Sequence, residues 1–311
     1  MPPPGARGTA RGRPLTGAAG SDFRCSTAAI DRGDDVAGTA THLHAFLLVE
    51  HHGPWGTSAP RDSRLPAEVK RHLTSHRAIK VLMARRHHKA HRGEEFQAFL
   101  ALPARRLLLR RTFRDPAELL DVDLDAAGRG LPPADDAGWE PFDGPLFGVC
   151  THGRHDACCA ERGRPVCRAL TDLRPEQTWE ISHMGGDRFA ANMVVLPEGL
   201  YYGRLEPATV GAVADLHAQG RLDLDRLRGR TTYPMPVQHA EIALRRELGE
   251  DRLDAVRLVA RDGEASDFDH DGASWRVVVR STLAEADVLL TCSATRTGHV
   301  PVHEVVSIAR I

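Results

Sequence analysis

Three of the chain's six cysteines fall in one ten-residue stretch, CTHGRHDACC, at 150–159. Eight residues separate Cys150 from Cys159, and Cys158 stands directly beside Cys159. Further on, HMGGD sets His183 four positions before Asp187, with Gly185 and Gly186 between them. Thiolate and imidazole donors suit three chemistries: a redox dithiol, a zinc site, or an iron–sulfur cluster. The vicinal pair makes a poor disulfide, because a trans peptide holds its Cα atoms about 3.8 Å apart, short of the roughly 4.4–6.8 Å a bridge spans. The Cys-x-x-Cys spacing of thioredoxin-type enzymes is absent. Structural zinc usually takes a ligand pair from a knuckle with about two to four intervening residues, so an eight-residue gap is long for it. A two-iron cluster needs four donors from two sides and accepts imidazole in place of thiolate, and an eight-residue loop can wrap it. Gly185 and Gly186 lack Cβ atoms, so their backbone can approach such a group and offer it N–H bonds.

The elements that must carry these residues follow from local pattern. LFGVC (146–150) reads as a short strand delivering Cys150 at its end, and TWEISH (178–183) as a second delivering His183. ANMVVL and LYYGRL, joined by Pro197, Glu198 and Gly199, read as a hairpin. PATVGAVADLHAQG (207–220) reads as a helix with Pro near its start and Gly past its end. This β-α-β-β-β-α order is that of a thioredoxin-like domain. Upstream, HLHAFLLVE, a helix from Pro66, AIKVLMAR, FQAFLAL and RRLLLRR give a β-α-β-β-β series. Between them, the Asp-, Gly- and Pro-rich 121–145 shows no periodicity and reads as a linker. Beyond Thr231 come the helix PVQHAEIALRRELG and strand-like runs at LDAVRLVA, SWRVVVRSTL, ADVLLTC and VHEVVSIAR. The predicted fold is thus α/β (α+β): two thioredoxin-like units with mixed sheets plus a C-terminal β-rich extension. The expected divisions are a disordered tail at 1–21, an N-terminal unit at 22–135, the cysteine-bearing unit at 141–230, and the helix and β-rich extension at 231–311.

A chain of 311 residues is long enough for at least two domains. With 41% apolar, 27% charged and only 5% aromatic residues, its cores must be aliphatic. A formal charge of -1 supplies no field to draw nucleic acid or anionic lipid, so neither is an expected partner. The opening residues hold no apolar run of export or membrane length, and a cytoplasmic location with reduced thiols is expected. RRHHKAHRG (85–93) reads as a solvated basic loop, or a patch for an acidic electron-transfer partner. Cys25, Cys167 and Cys292 read as small buried residues.

LLVEHHGPWG, DSRLP, CTHGRHDACC, HMGGDRFAAN and YYGR together resemble the sucrase/ferredoxin-like family, a likeness running from about Cys25 to the C-terminus. The resemblance implies that the second unit is a thioredoxin-like [2Fe-2S] ferredoxin, and that the protein is an electron carrier serving a redox partner protein rather than an enzyme. No pair of carboxylates is set for glycoside chemistry. In relatives with two histidine ligands, two cysteines eight residues apart precede His-x3-His, which maps onto Cys150, Cys159, His183 and position 187. Here position 187 is Asp, a departure with three resolutions. Asp187 binds iron through its carboxylate, or Cys158 supplies a third thiolate, or water or another histidine, such as His152 or His155, completes the set. Thiolate is the softer donor and Cys158 is preferred, leaving Asp187 to accept a hydrogen bond from His183 or to steady Arg188. The rival readings are a thioredoxin-type thiol oxidoreductase and a zinc-stabilised structural module.

Overall fold

A computed structural model describes residues 22–76, 78–87 and 95–311. The expected disordered tail and residues 88–93 of the basic run lie outside the described residues.

A short helix α1 (Cys25–Asp31) leads into β1 (Ala45–Glu50), α2 (Ala67–Thr74), β2 (Ile79–Arg85), β3 (Phe96–Leu102) and β4 (Leu107–Phe113). Next come α3 (Leu124–Gly128) and the two-residue β5 (Glu140–Pro141). The cysteine-bearing unit comprises β6 (Leu146–Cys150), α4 (Ala157–Leu173), β7 (Thr178–Ile181), β8 (Met193–Leu196), β9 (Leu200–Tyr202) and α5 (Val210–Ala218). The strand β10 (Leu227–Arg230) precedes α6 (Met235–Leu248), β11 (Val256–Asp262), β12 (Ala265–His270), β13 (Ala273–Val288) and β14 (Gly298–Arg310).

Each of the first two units repeats one plan. β1 is central, parallel to β2 and antiparallel to β3, with β4 outside; β6 is likewise parallel to β7 and antiparallel to β8, with β9 outside. Strands buried on both faces read as continuous apolar runs, and AFLLVE of β1 is buried at every position. The two sheets are one: β2 pairs antiparallel with β7 through Ala84↔Ile181 and Arg85↔Glu180, giving ten strands in the order β10-β9-β8-β6-β7-β2-β1-β3-β4-β5. Glu50, Ala84, Ile181 and Cys150 thereby form one row across the seam.

One face of this sheet is covered by α2 in the first unit and by α4 and α5 in the second, each over its own aliphatic core. The other face carries a core shared by both units, in which Phe46, Phe99, Trp179 and Ile181 join Cys150 and Cys159. The C-terminal extension is a separate antiparallel sheet, β11-β12-β13-β14, packed on α6 through Val237, Ala240, Leu244, Phe268 and Val277.

Three expectations of detail are corrected. The linker 121–145 contains α3, whose start Asp123 caps by accepting from the Ala126 N–H at 2.8 Å, and β5. SWRVVVRSTL and ADV are one long strand, β13, while Leu289 to Cys292 lie beyond it. β12, rich in Asp and Ser, lacks the apolar run that marks a strand, yet pairs on both sides.

Candidate metal centre

Two elements deliver the first donors. β6 ends on Cys150, and Asp156 accepts from the Cys158 N–H at 2.9 Å to start α4, putting Cys158 and Cys159 in its first turn. The helix is drawn tight against the strand: a Cβ on Gly163 would stand 2.0 Å from the Cys150 carbonyl oxygen. β7 leads into the loop that carries His183 and Asp187.

Cys150 Sγ, Cys159 Sγ and a ring nitrogen of His183 lie within 4.8 Å of one another. Cys159 Sγ stands 3.1 Å from Asp187 Oδ1, which is also 2.9 Å from His183 Nδ1. That nitrogen is buried and makes no hydrogen bond of acceptable geometry. The structure thus brings together Cys150, Cys159, His183 and Asp187. It does not bring Cys158 to them, and the preference for Cys158 as fourth donor is corrected. Successive helical residues point about 100° apart, so with Cys159 turned to the shared core, Cys158 faces a different neighbour. Its thiol lies instead with Cys25, Asp156 and Cys292. Cys25 is buried, as expected, and Cys292 half-buried, and both lie beside Cys158 in a small apolar cluster that gathers three thiols, whereas Cys167 lies in a larger core and burial pushes its thiol up to about 12.

The electrostatics follow from burial and neighbours. The Cys150 pKa is held well below the ordinary thiol value, chiefly by Cys159 and then by His183, against the opposing effect of burial. Cys159, sharing its proton with Cys150 and buried, is pushed up. Burial works against a charged His183, yet Asp187 and Cys150 hold it up to about 9. Burial likewise opposes an ionised Asp187, but His183 keeps its carboxyl below the ordinary value. Burial pulls the Lys80 ammonium down while the charges of Cys150 and Asp187 support it.

Histidines line the approach. His155 stacks on His183 with ring centroids 3.7 Å apart, and its Nε2 is 3.9 Å from Asp187 Oδ2. The His183 N–H donates to His152 Nδ1 at 3.2 Å, so His152 carries its proton on Nε2 and donates to the Gly56 carbonyl at 2.9 Å. His155 Nδ1 meets the Thr57 carbonyl at 3.1 Å. The HHGPWG loop of the first unit thus walls the site, with Trp55 edge-on to His152.

Other supporting residues gave no sequence signal of their own. Arg228, 1% exposed, donates to Gly185 O and Asn192 Oδ1, both at 2.9 Å, and to Thr39. It fixes the loop whose Gly186, at φ +82°, would drive a Cβ to 2.3 Å from that guanidinium. Gly163 and Lys80 were likewise unmarked. Asp156 had the one legible signal, a capping residue just ahead of a helix.

Two thiols, from the end of β6 and the first turn of α4, and an imidazole and a carboxylate from the loop after β7 form a donor set that fits a [2Fe-2S] cluster with mixed ligation; three of them would also serve a single zinc. Among the described residues no helix is long and apolar enough to cross a membrane.

Comparisons with known proteins add the following. The model of the sucrase/ferredoxin-like family matches residues 36–229. Altered inheritance of mitochondria protein 32 of Meyerozyma guilliermondii is 30% identical over 92 residues, which are 26% of this chain and 33% of that one. The chain spans about a third of the length of this curated relative. Among solved structures, a thioredoxin-like [2Fe-2S] ferredoxin from Aquifex aeolicus is 19% identical with a TM-score of 0.26, covering 29% of this chain and 94% of its own. A cysteine-to-serine variant of a thioredoxin-like [2Fe-2S] ferredoxin from the same organism is 22% identical with a TM-score of 0.25, covering 27% and 97%.

Proposed function

The chain belongs to the sucrase/ferredoxin-like family, and from that premise we propose that it is an electron-transfer protein holding one [2Fe-2S] cluster with Cys150, Cys159, His183 and Asp187. The observation that carries this reading is the convergence of the two thiols and the histidine within 4.8 Å, with Asp187 beside both Cys159 and His183. Bound there, such a cluster supplies reversible one-electron transfer.

The chain's own residues supply the rest. Cys150 and Cys159 offer thiolates from the buried floor. Gly185 and Gly186 let the backbone come close, and Lys80 offsets negative charge. His183, with its side chain 23% exposed and stacked on His155, carries the site's edge toward solvent, where a redox partner protein docks.

The test is anaerobic purification followed by visible spectroscopy and iron and sulfide analysis. Brown protein that bleaches with dithionite and carries about two irons and two sulfides per chain is expected. Colourless protein whose Cys150 and Cys159 hold only zinc, or cycle as a disulfide, would overturn the assignment.

A further inference from the structure

A second group of donors lies across the first turn of α4 from the candidate cluster site. Cys25 comes from α1, Asp156 and Cys158 from the start of α4, and Cys292 from the segment after β13, so three thiols distant in sequence converge. Cys158 Sγ is 3.3 Å from Cys292 Sγ, which is 3.6 Å from Cys25 Sγ. Both carboxylate oxygens of Asp156 lie 3.7 Å from Cys25 Sγ. Cys25, Cys158 and Asp156 are buried, and Cys292 is half-buried, which leaves a way in.

The spacing has a chemical meaning. Metal–sulfur bonds of about 2.3 Å in a tetrahedron set sulfurs about 3.8 Å apart, close to the separations seen here. The surroundings are those of thiolate ligands. The Ser26 hydroxyl donates to Cys158 Sγ at 3.1 Å, and the Cys25 N–H donates to Cys292 Sγ at 3.5 Å. Asp156 is fixed by the N–H groups of Cys158, at 2.9 Å, and Cys292, at 2.7 Å. A disulfide would join any two of the sulfurs, strand the third, and leave these donors with poorer acceptors.

We propose that Cys25, Cys158, Cys292 and Asp156 form a second metal site, independent of the first, that takes one Zn²⁺ and staples α1, α4 and the segment after β13 together. Binding releases the thiol protons and involves no electron transfer. The site also accounts for Cys158 standing apart from Cys150.

The experiment is zinc analysis of the full chain, purified anaerobically and equilibrated with zinc chloride, with folding checked by circular dichroism. In Cys150→Ser, which removes a donor of the first site, about one zinc per chain is expected, and it should be retained when Cys292→His, which keeps a nitrogen donor in place, is added. Cys25→Ser and Cys292→Ala should each lose zinc affinity by at least about tenfold. Zinc that survives Cys292→Ala but is lost in Cys150→Ser would overturn the proposal. So would a wild-type chain that takes up no zinc while iron fills the first site, or a Cys158–Cys292 disulfide in the anaerobic protein. Iron counted in the same samples reads the first site, so failure of that site and failure of this one are distinguished.

Discussion

At the scale of single residues, the two neighbouring cysteines have separate fates, and substitution should divide them. Cys159→Ser is expected to abolish the visible chromophore, while Cys158→Ser should keep it; absorption spectra of the two variants check this. In metal-free protein, His183 should titrate near pH 9 rather than about 6.5 despite its burial. Asp187→Asn should bring it down, as read from its ring proton resonances by NMR. A raised histidine stabilises the fold below its unfolded pKa and loses that contribution as pH rises through the folded value. Cys150 is depressed and acts in the opposite sense, its contribution present above the ordinary thiol value and lost as pH falls. The two contributions to the pH slope therefore have opposite sign, and urea denaturation of metal-free protein should show a shallower loss of stability on the approach to pH 9 than the raised histidine alone would give. Residue types and spacing made Cys150, Cys159 and His183 legible in sequence. The placing of Cys158 was not, because softness of the donor says nothing about the direction in which a helix aims it.

At the scale of elements, β6 is legible with its full bounds, 146–150, since five consecutive buried residues leave a continuous apolar signal. What holds β6 to α4 was hidden, because Gly163 reads only as a helix weakener until the Cys150 carbonyl is known to lie against it. Replacing a helical Gly by Ala normally gains up to about 1 kcal/mol. Here the added methyl meets backbone, and Gly163→Ala is expected to cost about 1–3 kcal/mol in urea denaturation and to lower metal content. Arg228→Met should loosen the 183–189 loop, because Gly185 O and Asn192 Oδ1 would lose a buried donor at about 1–3 kcal/mol each; hydrogen exchange at Gly186 and Asp187 measures it. An arginine in LRGR resembles any surface residue, so nothing in the sequence marks Arg228 as buried.

At the scale of the whole molecule, the two α/β units were legible from element order, but their fusion into one sheet was not. The seam consists of two residue pairs between strand ends, too short for any pattern. Glu180 ties it, accepting from Arg85 Nε at 2.8 Å and Thr151 Oγ1 at 3.0 Å and meeting His87 Nδ1 at 2.7 Å. Glu180→Gln should therefore cost about 1–3 kcal/mol, read as a lower urea midpoint. Because corresponding strands meet antiparallel, the halves are related by an approximate two-fold axis, as the subunits of a homodimer would be. A gene cut near residue 140 would leave β2 on one piece and β7 on the other with bare, sticky margins. The two pieces should seek each other when co-expressed, so that one uninterrupted polypeptide keeps these two margins covered by each other.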